Sequence, residues 1–312
     1  MPEKTSAGFI AAIVICLGLI ACNGGTASRT TSLIAVTIYP LADWCRNIVP
    51  PDIEVIHLIP PNQSPHTYEP GINDARQISN AQLVVRIGYG FDDWMNRLIQ
   101  STRKENTGVL VLAELLAADF PPLDAEHPHA EDEHTGHSHH HVNPHYWLDP
   151  VWAQKAVQVL STQLMDVYPE QALVIEERTQ AYLQELQQLH EDYASTIALF
   201  PYRSYVGYHE AFRHVAERYG LNEAATIEPW VGKEPSVNHI KEIVQVLQNM
   251  ENPVIYIEPQ LSGKAAEVLS QETRAKVLYL DPLGSPDVSD RNTYLKMMRF
   301  NLESLKEGLS QR

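Results

Sequence analysis

The chain has 312 residues, 44% hydrophobic and 20% charged, with a net charge of −16 and fourteen histidines. Those proportions belong to a globular protein long enough for two domains, and they exclude a wholly disordered chain. The acidic balance argues against a nucleic-acid partner, whose footprint is basic, and suits a protein whose field draws cations.

Ala7 to Ile20 is an apolar run behind a short leader whose one positive charge is Lys4. It is too short to span a bilayer comfortably and reads as a signal peptide over residues 1–21. Leu19-Ile20-Ala21-Cys22 resembles a bacterial lipobox. That resemblance implies a mature chain beginning at Cys22, lipidated there and anchored by several acyl chains. The alternative is a plain signal peptide or a short membrane anchor. With Cys16 in the leader and Cys22 modified, Cys45 stands alone, so no internal disulfide is expected.

Residues 22–32 are Gly/Ser/Thr-rich and read as a flexible tether. Strand patterns follow at Leu33–Ile38, Ile53–Ile59, Leu83–Ile87 and Val109–Leu112, with helical patterns at Pro40–Val49, Ile72–Asn80 and Phe91–Ser101 between them. Alternating strands and helices predict an α/β lobe with a mostly parallel sheet. This lobe is placed at residues 33–168. It includes a long acidic loop, 117–142, and a helix entered through Asp149-Pro150, an N-cap followed by proline at the first helical position.

Residues 169–199 carry the longest helical pattern, with Tyr182, Leu186, Leu189, Tyr193 and Ile197 at steps of three and four. At ~1.5 Å rise per residue it would be roughly 45 Å long, more than one small lobe needs. A linking helix is expected. A second α/β lobe, 200–312, follows. Its strand patterns are Ser204–Tyr208, Ala224–Ile227, Val254–Ile257 and Val277–Leu280, with helices at Glu210–Tyr219, from Ser236, at Lys264–Glu272 and at Arg291–Leu309.

The histidines are unevenly spread. Eight lie between Glu126 and Pro150: His127, His129, His134, His137, His139, His140, His141 and His145. Imidazole suits zinc, copper, iron and nickel, and a His-rich tract reads first as metal chemistry. Four further positions sit on loops or at strand ends, where α/β folds place ligands: His66, His145, His209 and Asp281. Three imidazoles and a carboxylate would close a tetrahedral zinc site. The spacing does not show that they converge, and a lone loop histidine is more often a surface or local hydrogen-bonding group.

Five stretches make a combined pattern: Pro65-His66-Thr67-Tyr68-Glu69-Pro70, Asn143-Pro144-His145-Tyr146-Trp147-Leu148-Asp149-Pro150, Tyr208-His209-Glu210-Ala211-Phe212, Glu258-Pro259-Gln260 and Leu280-Asp281-Pro282-Leu283-Gly284. Together and in this order they resemble the zinc/manganese class of solute-binding lipoproteins of bacterial ABC transporters, over the whole chain from the lipobox on.

The resemblance implies two α/β lobes joined by a rigid helix, with a metal held in the cleft by His66, His145, His209 and Asp281. It implies a monomeric, extracytoplasmic, lipid-anchored protein that delivers a divalent cation to a permease driven by a separate ATPase. The third ligand position carries histidine with zinc and glutamate with manganese. His209 stands there, so zinc is expected, with manganese as the alternative. By the same resemblance His127, His129, His134, His137, His139, His140 and His141 form a weak metal-capturing or sensing loop. The alternative is a solvated acidic insertion without a specific job.

Glu69, Glu228 and Glu258 are candidate extra ligands, with Glu69 and Glu258 expected to be structural. No P-loop pattern is present, so the chain is not expected to hydrolyse ATP. A zinc hydrolase is the rival class. It would keep an open water position, and the His-Glu-x-x-His pattern is missing. A surface adhesin is a further alternative.

Overall fold

The computed structural model describes Met1, residues 32–118, Leu123, residues 142–229 and residues 231–310. The expected signal peptide, Cys22 and His127, His129, His134, His137, His139, His140 and His141 lie outside the described residues.

The first half runs β1 (Ser32–Val36), α1 (Tyr39–Ile48), β2 (Ile53–His57), α2 (Ile72–Asn80), β3 (Leu83–Arg86), α3 (Trp94–Thr102), β4 (Gly108–Val111) and α4 (Leu112–Leu116). The four strands are parallel in the order β2-β1-β3-β4. Their short apolar, β-branched runs suit strands covered on both faces. Helix α1 opens on Pro40, whose fixed φ fits the first turn, and buries Leu41, Trp44, Cys45 and Ile48. Cys45 is fully buried and free, and burial pushes its thiol up to about 12, so it packs as an inert apolar group. Helix α4 breaks the expected strand-to-loop passage. Leu112, Ala113 and Leu116 turn inward and keep that stretch helical.

Asp149 accepts a hydrogen bond from the Val151 amide at 2.9 Å and so caps α5 (Pro150–Val167). A single 3₁₀ turn at Pro169–Gln171 leads into α6 (Ala172–Ala198). Its 27 residues span about 40 Å. Ile175, Thr179, Tyr182, Leu186, Leu189, Tyr193 and Ile197 form its buried stripe. That spacing keeps one face inward for the full length.

The second half repeats the first: β5 (Ser204–Gly207), α7 (Arg213–Tyr219), β6 (Asn222–Thr226), α8 (Val237–Asn249), β7 (Val254–Ile257), α9 (Lys264–Thr273), β8 (Lys276–Tyr279) and α10 (Tyr294–Leu309). Its parallel sheet has the order β6-β5-β7-β8, the same pattern as the first. The expected helix from Glu210 is split. Glu210–Phe212 is a 3₁₀ turn, and the α-helix starts at Arg213 and ends on Gly220 in the left-handed conformation (φ 68°).

One hydrophobic cluster passes through both halves. It joins Ile34, Val85 and Trp147 to Leu186, Tyr193, Tyr205, Tyr256, Leu280 and Leu302. Helix α10 carries this core back to the first half. The Tyr294 amide donates to Asp43 Oδ2 at 2.9 Å, and its ring meets Trp44 edge-on at 5.2 Å. Thr31–Arg312 is accordingly one compact unit. The architecture is two α/β lobes bridged by a long helix, with α10 as a second tie.

Candidate metal site

In a doubly wound sheet, ligands collect beyond the strand ends where the connection direction reverses. That point lies between β1 and β3 in the first sheet and between β5 and β7 in the second. Gly207 of β5 is in register with Tyr256 of β7. Two residues further along each strand stand His209 and Glu258, facing one another across the switch point.

His66 comes from the segment after β2, on a 3₁₀ turn that Pro65 opens. His145 precedes the 3₁₀ turn Tyr146–Leu148. This turn is pinned to the second lobe. Trp147 Nε1 donates to the Pro282 carbonyl at 2.8 Å, and Tyr294 Oη donates to the Trp147 carbonyl at 2.6 Å. Arg218 pairs with Asp149 at close range. His145 therefore belongs to the first half by sequence and is fastened to the second by hydrogen bonds.

The three imidazoles meet. His145 Nε2 lies 3.1 Å from His66 Nε2 and 3.2 Å from His209 Nε2, and the three groups each offer an atom within 4.8 Å of the others. Zinc–nitrogen bonds of about 2.0–2.1 Å at the tetrahedral angle put ligand nitrogens about 3.3–3.4 Å apart. The spacing is already that of ligands around one small cation.

The tautomer of His145 is fixed by its partners. Asn143 Nδ2 donates to the Glu210 carbonyl at 2.7 Å, which turns Asn143 Oδ1 toward His145. That oxygen accepts from the His145 amide and from His145 Nδ1, both at 3.0 Å. Nδ1 therefore carries the proton and Nε2 presents its lone pair to the cluster. The His209 Nδ1 edge meets the Glu258 carboxylate at close range.

The cavity among these groups measures about 10 Å³ and is lined by the three histidines, Phe91, Trp147, Glu258 and Gln260, among others. About one probe sphere fits such a space, so it suits an ion and admits no organic substrate. Phe91 meets His66 edge-on at 5.3 Å and Trp147 at 5.0 Å, forming an apolar wall. Asp92 holds that wall in place. Its Oδ2 accepts from Thr37 Oγ1 at 2.6 Å and the Ile87 amide at 2.7 Å, and its Oδ1 accepts from the Gly88 amide at 3.1 Å. The turn so fixed, Gly88-Tyr89-Gly90, is left-handed throughout, with φ of 91°, 52° and 80°. At Gly88 an added Cβ would also lie 2.7 Å from the Ala113 Cβ, so only glycine suits that position.

Asp281 is nearby but stands outside the three-histidine group. Its Oδ1 accepts from Gln260 Nε2 at 2.8 Å and from the Leu283 and Gly284 amides at 3.0 and 2.9 Å. Its Oδ2 pairs with Arg291 Nη1 at 3.0 Å. Both oxygens are thus committed within the second lobe.

A family model described as zinc-uptake complex component A, periplasmic (ZnuA), matches residues 34–308. The chain belongs to the ZnuA family. It is 28% identical over 300 residues to the zinc-binding lipoprotein AdcA of Streptococcus pneumoniae strain R6, covering 95% of this chain and 59% of AdcA. The chain thus spans about three fifths of the length of that relative. It is 27% identical over 310 residues to the manganese-binding lipoprotein MntA of Halalkalibacterium halodurans, covering 96% of this chain and 97% of MntA. Among solved structures, the Zn(II)-bound ZnuA-like domain of Streptococcus pneumoniae AdcA is similar with a TM-score of 0.72 and 27% identity, over 90% of this chain and 100% of that one.

The family is described as a periplasmic component of zinc uptake, a binding component and not an enzyme. No helix among the described residues is long and apolar enough to cross a membrane. Of the four ligand positions that the sequence singles out, His66, His145 and His209 come together, and Asp281 is tied to Arg291 and Gln260 instead. Glu258, expected to be structural, lies against a site histidine. The signal for it was its place directly after a strand, the same signal that marked His209. Glu228 accepts from Tyr208 Oη at 2.9 Å and from the Gly232 amide at 3.4 Å, which braces its loop. Glu69 is exposed and outside the group.

Burial, joined by the neighbouring imidazoles, holds His145 well below the usual histidine value. Burial and His209 lower His66 as well, although that residue keeps an exposed edge. His214 is pushed down to about 4 by burial, against the opposing pull of its bond to the Asn143 carbonyl. His66, His145 and His214 are therefore neutral near pH 7, the state a metal requires of a histidine ligand. In the unfolded chain histidine titrates near 6.5. Folded values below that mean the unfolded state binds more protons as pH falls, so stability is lost on acidification. Metal-free protein is expected to show a melting temperature that falls between about pH 6.5 and pH 4, with a shallower fall in His214→Gln. A melting temperature that is flat or rising across that window contradicts this assignment.

Proposed function

We propose that the chain captures zinc outside the cytoplasm and delivers it to an ABC permease driven by a separate ATPase. The ion is held by the Nε2 atoms of His66, His145 and His209. The observation that carries this is the 3.1 and 3.2 Å spacing of those atoms around a cavity of ion size. The donor set supports zinc over manganese, because nitrogen ligands in tetrahedral array suit zinc and oxygen-rich octahedral sites suit manganese. AdcA is named for zinc and MntA for manganese, so relatives of this chain serve both ions.

A competition titration of the full chain with zinc and manganese tests the metal. Zinc is expected to displace manganese at equal concentration. Manganese bound more tightly than zinc would overturn the assignment.

Asp281 is proposed as a fourth ligand that reaches the ion only by exchanging Arg291. Asp281→Asn is then expected to weaken zinc binding less than His145→Ala does. An equal loss would make it a full ligand from the outset. Outside the cleft, acylation of Cys22 is proposed to hold the protein, as a monomer, at the membrane beside its permease. The histidines of residues 126–141 are proposed to gather metal weakly.

A further inference from the structure

The site has a second layer of unequal charge, and its charged member sits behind His209. Behind His145 stands a neutral amide, Asn143, at 3.0 Å. Behind His209 stands a carboxylate, Glu258, whose Oε1 contacts Nδ1. Glu258 is 5% exposed and His209 is 9% exposed, so the contact is shielded from water. The backbone imposes it. Gly207 and Tyr256 are in register on adjacent strands, and His209 and Glu258 each follow two residues later. The Glu258 side chain thus reaches the rear edge of the ring, while Nε2 on the other edge lies 3.2 Å from His145 Nε2.

We propose that Glu258 is a positioning residue for metal capture: it fixes His209 with the proton on Nδ1 and supplies a buried negative charge directly behind the three-imidazole group. This rests on the three-histidine reading of the site and adds a residue to it. A carboxylate can only accept from the ring, so Nε2 is left bare and aimed at the ion. The carboxylate also raises the basicity of the imidazole it touches, which tightens its bond to a cation. Three neutral imidazoles carry no charge to offset a divalent ion. The Asp281 carboxylate is already balanced by Arg291. Glu258 is therefore, among the described residues, the buried carboxylate that touches a site histidine, and its charge faces the ion through that ligand.

Two variants separate hydrogen bond from charge. Glu258→Gln keeps an acceptor oxygen and removes the charge; Glu258→Leu removes both. Zinc affinity of the full chain, read by competition with a chelator at less than one equivalent of zinc, is expected to fall about tenfold in Glu258→Gln and about 10- to 100-fold in Glu258→Leu, the range for outer-shell partners. Nitrogen-15 histidine spectra of the metal-free chain, with the His209 signal assigned by its loss in His209→Gln, should show the Nδ1–H form in the wild type and in Glu258→Gln. Glu258→Leu should shift His209 toward the Nε2–H form. Affinity within twofold of wild type in both folded variants overturns the proposal. So does a wild-type His209 protonated on Nε2, which is read without any variant having to fold. If His209→Gln itself leaves zinc binding intact, the three-histidine site fails. If it abolishes binding and Glu258→Leu does not, only the role of Glu258 fails.

Discussion

His145→Ala is expected to lower zinc affinity by at least about 100-fold, or about 2.8 kcal/mol at 1.4 kcal/mol per tenfold. Outer-shell partners alone cost 10–100-fold, so the loss of a ligand sets the floor near the top of that range. His145 is the ligand whose removal should matter most. Its Nε2 is the atom within 3.2 Å of both other rings. Its ring is buried, its tautomer is fixed by Asn143, and its segment is fastened to the second lobe through Trp147 and Asp149. The fold should survive the change, since those fastenings come from other residues. Calorimetric titration beside a denaturation curve reads both quantities. Affinity within a factor of ten of wild type in a folded variant would remove His145 from the site.

The largest stability effect is expected from Asp92→Ala. Asp92 is fully buried and accepts from Thr37 and from the Ile87 and Gly88 amides, as well as pairing with Arg86 at 3.3 Å. Its removal leaves Arg86, itself 4% exposed, with a lesser set of partners, the side chains of Asp93 and Asn96 and the residue-92 carbonyl. Breaking a buried pair by deleting one member costs about 3–5 kcal/mol. The remaining Arg86 contacts place the expectation near the lower end, about 3 kcal/mol of unfolding free energy by urea denaturation. The same change frees the turn that sets Phe91 against His66, so zinc affinity should fall with it. A loss below about 1 kcal/mol, within the range of an ordinary hydrogen bond, would show that Asp92 does not anchor this turn.

The repeat of strand and helix was legible because most of the parallel strands are short runs rich in apolar residues, although β6, Asn222–Thr226, is largely polar, and the longer helices keep a buried stripe. Caps were legible where one residue suffices, as at Asp149 and Gly220. Helix α4 was not, because Leu112–Leu116 is only five residues long, apolar except for Glu114, and periodicity cannot separate strand from buried helix over so short a stretch.

The site divides the same way. His66, His145 and His209 stood out as histidines on loops beside proline or strand ends. Their convergence depends on strand order, which one sequence does not display. Asp281 had the same local credentials, yet Arg291, ten residues on, and Gln260, twenty-one residues back, hold its oxygens. Glu258 looked structural because Glu258-Pro259 resembles a loop feature of the family's backbone. Only the register of β5 against β7 sets it behind His209. Local chemistry marks candidate ligands; tertiary pairing decides which of them are free.

On the proposed function, capture belongs to the three cleft imidazoles and not to the histidine tract of residues 126–141. Zinc stoichiometry and affinity, measured by chelator competition on protein lacking residues 126–141 and on the same protein carrying His209→Ala, test it most directly. One tight zinc ion per chain is expected in the first and none in the second. Loss of tight binding on deleting the tract, with His209→Ala leaving the intact chain unchanged, would contradict it.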